Sequence, residues 1–169
     1  VSRVLLNFGG GDDLGMSLYL AQNLIEILDN KVEILIISGK DNPNNKKLEY
    51  FISENTDSNL RLKINPKNMP ELIHQSDLGF ISSGTISYEL AYSGIPMVLI
   101  STARNQYIGA KGWHDHGAGI YLGKHSDITK KKIVDITKRL LADEKLRKKI
   151  SKKASQMVDG LGVSRICQG

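Results

Sequence analysis

The chain of 169 residues is 40% hydrophobic and 24% charged, a balance typical of one globular domain with an ordinary core and not of a disordered chain. No apolar run approaches the length that crosses a bilayer and no signal-peptide pattern occurs, so we expect a cytoplasmic protein. The single cysteine, Cys167, excludes an internal disulfide and a zinc cluster built on thiolates.

Short apolar segments alternate along the chain with longer segments of helical period. Strands are predicted at residues 4–8, 32–37, 60–64, 78–81, 97–100 and 120–122. Helices are predicted at residues 14–29, 43–54, 69–75, around Glu89, and at 106–115, 129–141 and 144–158. This alternation predicts an α/β fold over residues 1–169: one Rossmann-like three-layer domain with a mostly parallel sheet and helices on both faces.

Two of the predicted helices carry specific expectations for their first residues. Asp12 or Asp13 can cap the first helix, because a short acidic side chain accepts hydrogen bonds from the unpaired N–H groups there. Pro43 can occupy the first position of the second helix, where its missing N–H costs nothing.

Four loops that follow predicted strands contain candidate ligand-binding residues. They are the loops at residues 9–11 and 65–69, the helix start at Ser83, and the turn at residues 104–106. Ligands of parallel sheets bind at the carboxyl ends of the strands, where the strand order reverses. We therefore expect these four loops to lie at one edge of the sheet.

The helix that starts at Ser83-Gly84-Thr85 is the strongest local signal. Its first N–H groups and the positive end of its dipole form an anion site suited to a phosphate. Glu89 lies four residues after Thr85 and so on the same face, within reach of the hydroxyls of a ribose. The pattern favours a nucleotide site, specifically for a nucleotide sugar, although Glu89 is also compatible with the surface of an amphipathic helix.

The loop Gly9-Gly10-Gly11 matches neither common phosphate-binding motif. It lacks the Gly-Lys-Ser/Thr of a Walker loop, and Gly15 misses the dinucleotide spacing by one residue. By itself the loop predicts a tight turn from strand to helix, with or without ligand contact.

No catalytic or metal centre is evident in the sequence. His114 and His116 are two residues apart and point to different sides of a helix, whereas ligands of one metal need a spacing of three or four. His74 and His125 have no partner at ligand spacing, and no histidine is expected on the four ligand loops. We therefore predict a binding site that needs neither metal nor cofactor.

Residues 124–153 form a basic region. They hold 12 of the 23 Lys and Arg but only 4 of the 18 Asp and Glu. This region suits an anionic membrane surface, giving weak peripheral association with the inner face of the membrane, or an acidic partner; a solvated helix face is the plainer alternative. A basic tail on a mildly acidic body does not indicate nucleic-acid binding.

Five segments carry a resemblance to a known family: residues 7–12, 83–90, 94–96, 105–106 and 159–166. They resemble the C-terminal domain of the UDP-sugar hydrolase of pseudaminic acid biosynthesis and of the related spore-coat polysaccharide proteins. The peptidoglycan N-acetylglucosaminyl transferase is similar more distantly. These are GT-B proteins, in which two Rossmann-like domains face a cleft and the C-terminal domain holds most of the donor nucleotide.

The resemblance implies UDP or a UDP-sugar as the ligand, with Glu89 binding the ribose hydroxyls. It implies that the diphosphate is held by Ser83, Gly84 and Thr85, with Gly10 and Gly11 opposite.

The resemblance also implies contacts at the two ends of the ligand. Asn105 and Gln106 would meet the phosphate or the sugar, and the loop before Met69 would meet the uracil through its backbone. Pro66 departs from this pattern, because it lies close to where the family offers an N–H group and proline has none. Recognition of the uracil is therefore expected to be weaker than recognition of the ribose and phosphates.

The resemblance implies that the chain corresponds to the C-terminal half of a GT-B protein and that the hydrolase's catalytic histidine lies in the other half. We expect the chain to be inactive alone, either as a piece of a longer protein or as a subunit completed by a partner. Two rivals stay open. One is an interaction subunit with an unused pocket, and the other is a flavodoxin-like domain, for which only Tyr88 and Tyr107 are near enough to stack on a flavin.

Overall fold

A computed structural model describes residues 1–11 and 14–167. These residues form one six-stranded sheet in which every neighbouring pair of strands is parallel. The strands are β1 (Arg3–Asn7), β2 (Glu33–Ser38), β3 (Leu60–Ile64), β4 (Leu78–Ser82), β5 (Met97–Ser101) and β6 (Ile120–Lys124). The predicted Rossmann-like α/β fold is confirmed.

The strand order is β3-β2-β1-β4-β5-β6. The chain builds outward from β1 to β3, then returns to the other side of β1 and builds outward again to β6. The order therefore reverses between β1 and β4, which is where parallel sheets open a crevice at their carboxyl edge.

Helices cover both faces of the sheet. They are α1 (Met16–Leu24), α2 (Asn45–Glu54), α3 (Met69–His74), α4 (Thr85–Tyr92), α5 (Gln106–Asp115), α6 (Lys130–Ala142), α7 (Glu144–Met157) and α8 (Gly162–Cys167), with a 3-10 turn at His125–Asp127. One core packs β-strand side chains against α1, α2 and α6, and the other packs them against α3, α4 and α5. Helix α7 contributes Ile150 to the first core and Ala154 to the second.

The central strands are apolar throughout because both of their faces are covered. Side chains alternate between the two faces, so Val4 and Leu6 of β1 enter one core while Leu5 enters the other. All three are fully buried. Within the described residues, no helix combines the length and the apolar character that a membrane span requires.

The structure corrects two predicted helix starts, that of α1 at residue 14 and that of α2 at Pro43. Helix α1 begins at Met16, directly after Gly15, whose φ of 67° is left-handed. Helix α2 begins at Asn45 and not at Pro43, because the side chain of Asn42 accepts a hydrogen bond from the Asn44 N–H at 2.8 Å and holds a turn there. The cap predicted at residues 12 and 13 falls outside the described residues.

Candidate functional site

The parallel sheet brings the four predicted ligand loops to one edge. They follow β1, β3, β4 and β5, and all strands end at the same side because they run in the same direction. Between the loops lie two cavities, and five of the ten predicted site residues line the first of them. The two cavities differ in lining and are described in turn.

The first, here called the switch-point cavity, has a volume of about 320 Å³ and lies where the strand order reverses. Its lining is Asn7, Gly9, Gly10, Ile37, Ser38, Gly39, Asn65, Pro66, Met69, Thr85, Ile86 and Glu89. Five predicted site residues are thus brought together, namely Gly10, Pro66, Met69, Thr85 and Glu89. Gly11, Ser83, Gly84, Asn105 and Gln106 are not part of this lining.

Glu89 is exposed on α4 and lines the switch-point cavity. Within residues 1–11 and 14–167 its side chain has neither an ion pair nor a hydrogen bond. Thr85, also exposed, lines the same cavity one helical turn earlier. A carboxylate and a hydroxyl are therefore available together on one face of α4.

The start of α4 keeps free backbone donors. In the described part of the chain, the N–H groups of Thr85 and Ile86 donate to no backbone or side-chain acceptor, as is usual for the first turn of a helix. Gly84 precedes the helix in an extended conformation. These donors and the helix dipole favour an anion at this point.

A short network fixes where α4 begins. The Ser87 hydroxyl donates to the Gly84 carbonyl at 2.6 Å and accepts from the Trp113 indole N–H of α5 at 3.1 Å. The Tyr88 and Trp113 rings meet edge to face at 5.3 Å. At the other side of the helix, Gly79 of β4 admits close packing, since a Cβ there would lie 2.3 Å from Leu90 Cδ2.

The glycine loop after β1 is held by residues that sequence reasoning missed. Asn7 is buried; its amide donates to the Ile37 carbonyl at 3.1 Å and its oxygen accepts from the Gly9 N–H at 3.3 Å. Gly39 after β2 lies against Gly10, because a Cβ on Gly39 would stand 2.0 Å from the Gly10 carbonyl oxygen. The available signal was a polar residue ending an apolar strand at Asn7, and a glycine directly after β2.

The loop predicted to meet the base has an unusual backbone. Asn65 adopts a left-handed φ of 48° and donates its N–H to the Ser38 carbonyl at 2.8 Å. Asparagine tolerates this conformation better than most residues. Pro66 follows and offers no N–H group, so this part of the cavity wall is poor in donors.

Gln106 and Asn105 lie away from the switch-point cavity. The Gln106 side-chain oxygen accepts from the Thr102 N–H at 2.9 Å and from the Thr102 hydroxyl at 3.1 Å. It therefore braces its own loop, while Asn105 is exposed at the start of α5. Ser83 packs toward α5, since its hydroxyl lies 3.1 Å from where a Cβ on Gly109 would stand.

The second cavity, here called the outer-edge cavity, lies at the ends of β5 and β6 and has a volume of about 790 Å³. Its lining is Ser101, Thr102, Ala103, Arg104, Tyr107, Ile108, Lys124 and His125. His125 is on none of the four predicted ligand loops, but it lines this cavity together with the loop after β5. His125 shares a cavity with the β5 loop because β6 pairs with β5, which the sequence does not reveal.

Two other histidines, His114 and His116, make local contacts at the end of α5. His114 accepts from the Tyr121 N–H at 3.3 Å, and His116 ends α5 with its Nδ1 at 2.8 Å from the Gly112 carbonyl oxygen. The described residues contain no group of three or more His, Cys, Asp or Glu side chains arranged to hold a metal ion.

The fold, with a cavity at the carboxyl edge of its parallel sheet, defines a Rossmann-like α/β domain. The structure is similar to Acinetobacter baumannii MurG, with a TM-score of 0.76 and 19% identity, covering 99% of this chain and 48% of that one. It is also similar to S. aureus MnaA in its co-structure with UDP, with a TM-score of 0.74 and 17% identity, covering 98% of this chain and 44% of that one.

The sequence model of the glycosyltransferase family 28 C-terminal domain matches residues 14–162, and the chain belongs to that family. It is also 23% identical over 165 residues to the spore coat polysaccharide biosynthesis protein SpsG of Bacillus subtilis (strain 168). That match covers 97% of this chain and 48% of the relative, so the chain spans about half the length of the curated relative it matches. The predicted resemblance to the C-terminal half of GT-B proteins is confirmed.

Proposed function

We propose that the chain is the nucleotide-sugar-binding domain of a GT-B enzyme of surface polysaccharide synthesis, and that it binds UDP or a UDP-sugar in the switch-point cavity. The observation that carries the proposal is the meeting of Thr85 and Glu89 with the Gly10 and Pro66 loops in one cavity. The family and the UDP complex of MnaA support the choice of ligand class.

The proposed pose follows the chemistry of the cavity wall. The diphosphate lies at the start of α4, where the N–H groups of Thr85 and Ile86 are free and the helix dipole is positive. Gly10 faces it across the cavity without a side chain in the way. The ribose hydroxyls donate to the Glu89 carboxylate one turn further along, and the uracil lies against the loop that contains Pro66 and Met69.

The other predicted contacts extend this pose. Gly11, Ser83 and Gly84 belong to the loops that flank the diphosphate, and their backbone groups complete its surroundings. Asn105 and Gln106 lie after β5, on the path from the diphosphate toward the transferred sugar, and Gln106 acts chiefly by shaping that loop.

The rest of the enzyme is also proposed. A second Rossmann-like domain, in the same chain or in a partner subunit, supplies the opposite wall of the cleft and the catalytic base. The acceptor is either a sugar hydroxyl, which makes the enzyme a transferase, or water, which makes it a hydrolase. Cytoplasmic location and weak association with anionic membrane through residues 124–153 stay predictions.

Calorimetry with UDP tests the proposed site. Glu89→Ala should weaken UDP binding by about tenfold to a hundredfold, because a hydrogen bond to a charged group contributes roughly 1.5–3 kcal/mol. Glu49→Ala is the matched control: Glu49 is an exposed helical carboxylate on α2, outside the switch-point cavity. Equal affinities of the Glu89 variant and the wild-type chain would remove Glu89 from the site, and absence of UDP binding would reject the proposal.

A further inference from the structure

The described lining of the outer-edge cavity consists of cationic and neutral side chains only. Arg104 and Lys124 face it together with the imidazole of His125, and no Asp or Glu belongs to its described lining. Tyr107 and Ile108 add partly apolar walls. At about 790 Å³ it has more than twice the volume of the switch-point cavity, which is enough for a sugar-sized group.

In the described part of the chain, neither Arg104 nor Lys124 forms an ion pair, although Lys111, Lys130 and Lys148 each pair with a carboxylate. A guanidinium presents parallel N–H donors that match the two oxygens of a carboxylate or phosphate, and an ammonium adds a point charge. The lining is therefore complementary to an oxyanion.

Hydrogen bonds and a ring contact hold the walls of the outer-edge cavity in place without a ligand. Gln106 holds the loop just before Arg104 through its hydrogen bonds to the Thr102 N–H and hydroxyl. On the β6 side, the Ser101 hydroxyl donates to the Tyr121 hydroxyl at 3.2 Å, and the Tyr121 ring meets the Tyr107 ring at 5.9 Å. Because these walls are already ordered, less conformational entropy is lost when a ligand binds.

We propose that the outer-edge cavity binds an oxyanion, a carboxylate or a phosphate, carried by the part of the substrate that is not the nucleotide. The diphosphate of the nucleotide has its own site at the start of α4, so these cations serve a second negative group. That group belongs either to the transferred sugar or to the acceptor. The assignment to the substrate rests on the proposed function, whereas the affinity of the cavity for an oxyanion does not.

The first experiment tests the cavity without any nucleotide. Inorganic phosphate is titrated into the chain while the NMR signals of the His125 and Tyr107 rings are followed. We expect saturable shifts of both rings, weakened about tenfold or more in an Arg104→Ala/Lys124→Ala double variant, the scale of one charge-assisted hydrogen bond. Lys138→Ala is the control, since Lys138 is exposed on α6 and lines neither cavity. Shifts that are absent, or equal in the double variant, overturn the proposal.

The second experiment distinguishes the two sources of the oxyanion. UDP-glucuronate and UDP-glucose differ by one carboxylate, so about tenfold tighter binding of UDP-glucuronate, lost in the double variant, assigns the oxyanion to the sugar. Binding of glycerol 3-phosphate at saturating UDP, lost in the same variant, assigns it to the acceptor. If UDP binds and neither arm responds, the substrate assignment is wrong. If UDP does not bind but phosphate shifts His125, the proposed function fails and the oxyanion site stands.

Discussion

At the scale of single residues, the site depends on side chains and glycines that keep its wall open. Glu89 and Thr85 present polar groups to the switch-point cavity from one face of α4. Gly39 contributes by having no side chain, because the Gly10 carbonyl occupies the space where a Cβ would lie. The loops after β1 and β2 can pass each other this closely only with glycine at residue 39.

Gly39→Ala should therefore lower stability and weaken UDP binding, although it adds only one methyl group. A methyl group at 2.0 Å from the Gly10 oxygen must displace the backbone of one loop, so we expect a loss of about 1–3 kcal/mol of stability and weaker UDP binding. Gly112→Ala is the control, since a Cβ there meets nothing within 4 Å and the residue lies in α5; alanine should be neutral or stabilising there. Thermal unfolding and UDP calorimetry of both variants check this, and equal behaviour of the two would contradict it.

At the scale of elements, α4 is positioned by α5 and β4. Ser87 joins the Gly84 carbonyl at the helix start to the indole of Trp113, so the first turn of α4 is held in place beside the switch-point cavity. The proposed diphosphate site therefore depends on a contact with α5 as well as on the sequence of α4.

A double-mutant cycle tests this link. Ser87→Ala should cost about 1–3 kcal/mol of stability, because it leaves the buried Trp113 N–H without its acceptor. Trp113→Phe removes the donor as well, and in the double variant the effect of Ser87→Ala should shrink. Denaturant unfolding of the four proteins measures the coupling energy. Strictly additive effects would show that the hydrogen bond contributes nothing.

The carboxylate of Asp77 makes the stability of the residues at the start of β1 depend on pH. This carboxylate accepts from the N–H groups of Ser2 and Arg3 at 2.6 Å and 3.0 Å. Partial burial opposes its ionisation, but these backbone hydrogen bonds prevail and lower the pKa of Asp77. A lowered folded-state pKa adds stability above the unfolded value of about 3.9, and that stability is lost as the pH falls through the folded value.

Asp77→Asn should accordingly lower the melting temperature at pH 7 by about 2–4 °C, the shift that about 1 kcal/mol produces in a domain of this size. Melting curves of the wild-type chain and the variant across pH 7 to pH 2 provide the check. The gap between the two should narrow as the pH drops below the folded pKa. A gap of constant size would mean that the charge of Asp77 has no part in it.

At the scale of the whole molecule, the six-stranded parallel sheet places two cavities side by side on one edge. A GT-B cleft has two walls, and the chain spans about half of the relatives it resembles. Under the proposed function, this chain binds the nucleotide sugar and a second domain supplies the catalytic base.

We expect the chain alone to release no UDP from UDP-N-acetylhexosamines at a useful rate. Without a positioned base, the attacking hydroxyl or water lacks the roughly 10²–10⁴-fold contribution of general acid–base catalysis. Adding the N-terminal half of the enzyme, fused or separate, should restore turnover. Sustained UDP release by the chain alone, abolished by a point change within residues 1–169, would contradict the half-enzyme account.

Much of the architecture could be predicted from sequence, because apolar runs and helical periods are local signals. The six strands lie within a few residues of their predicted positions, and the Thr85–Glu89 spacing already placed both residues on one face. Pairing across the sheet is not a local signal. The contact of Gly39 with Gly10 depends on β2 lying beside β1. His125 and Arg104 line the same cavity because β6 lies beside β5. Helix α2 starts two residues later than predicted because the Asn42 side chain accepts a hydrogen bond from the Asn44 N–H, which composition does not reveal.

A crystal structure of the chain with UDP would show directly whether the nucleotide binds in the switch-point cavity. We expect the diphosphate to lie at the N–H groups of Thr85 and Ile86. Both ribose hydroxyls should lie within hydrogen-bond distance of the Glu89 carboxylate. UDP bound elsewhere, with its diphosphate on Arg104 and Lys124 in the outer-edge cavity and Glu89 untouched, would contradict this expectation.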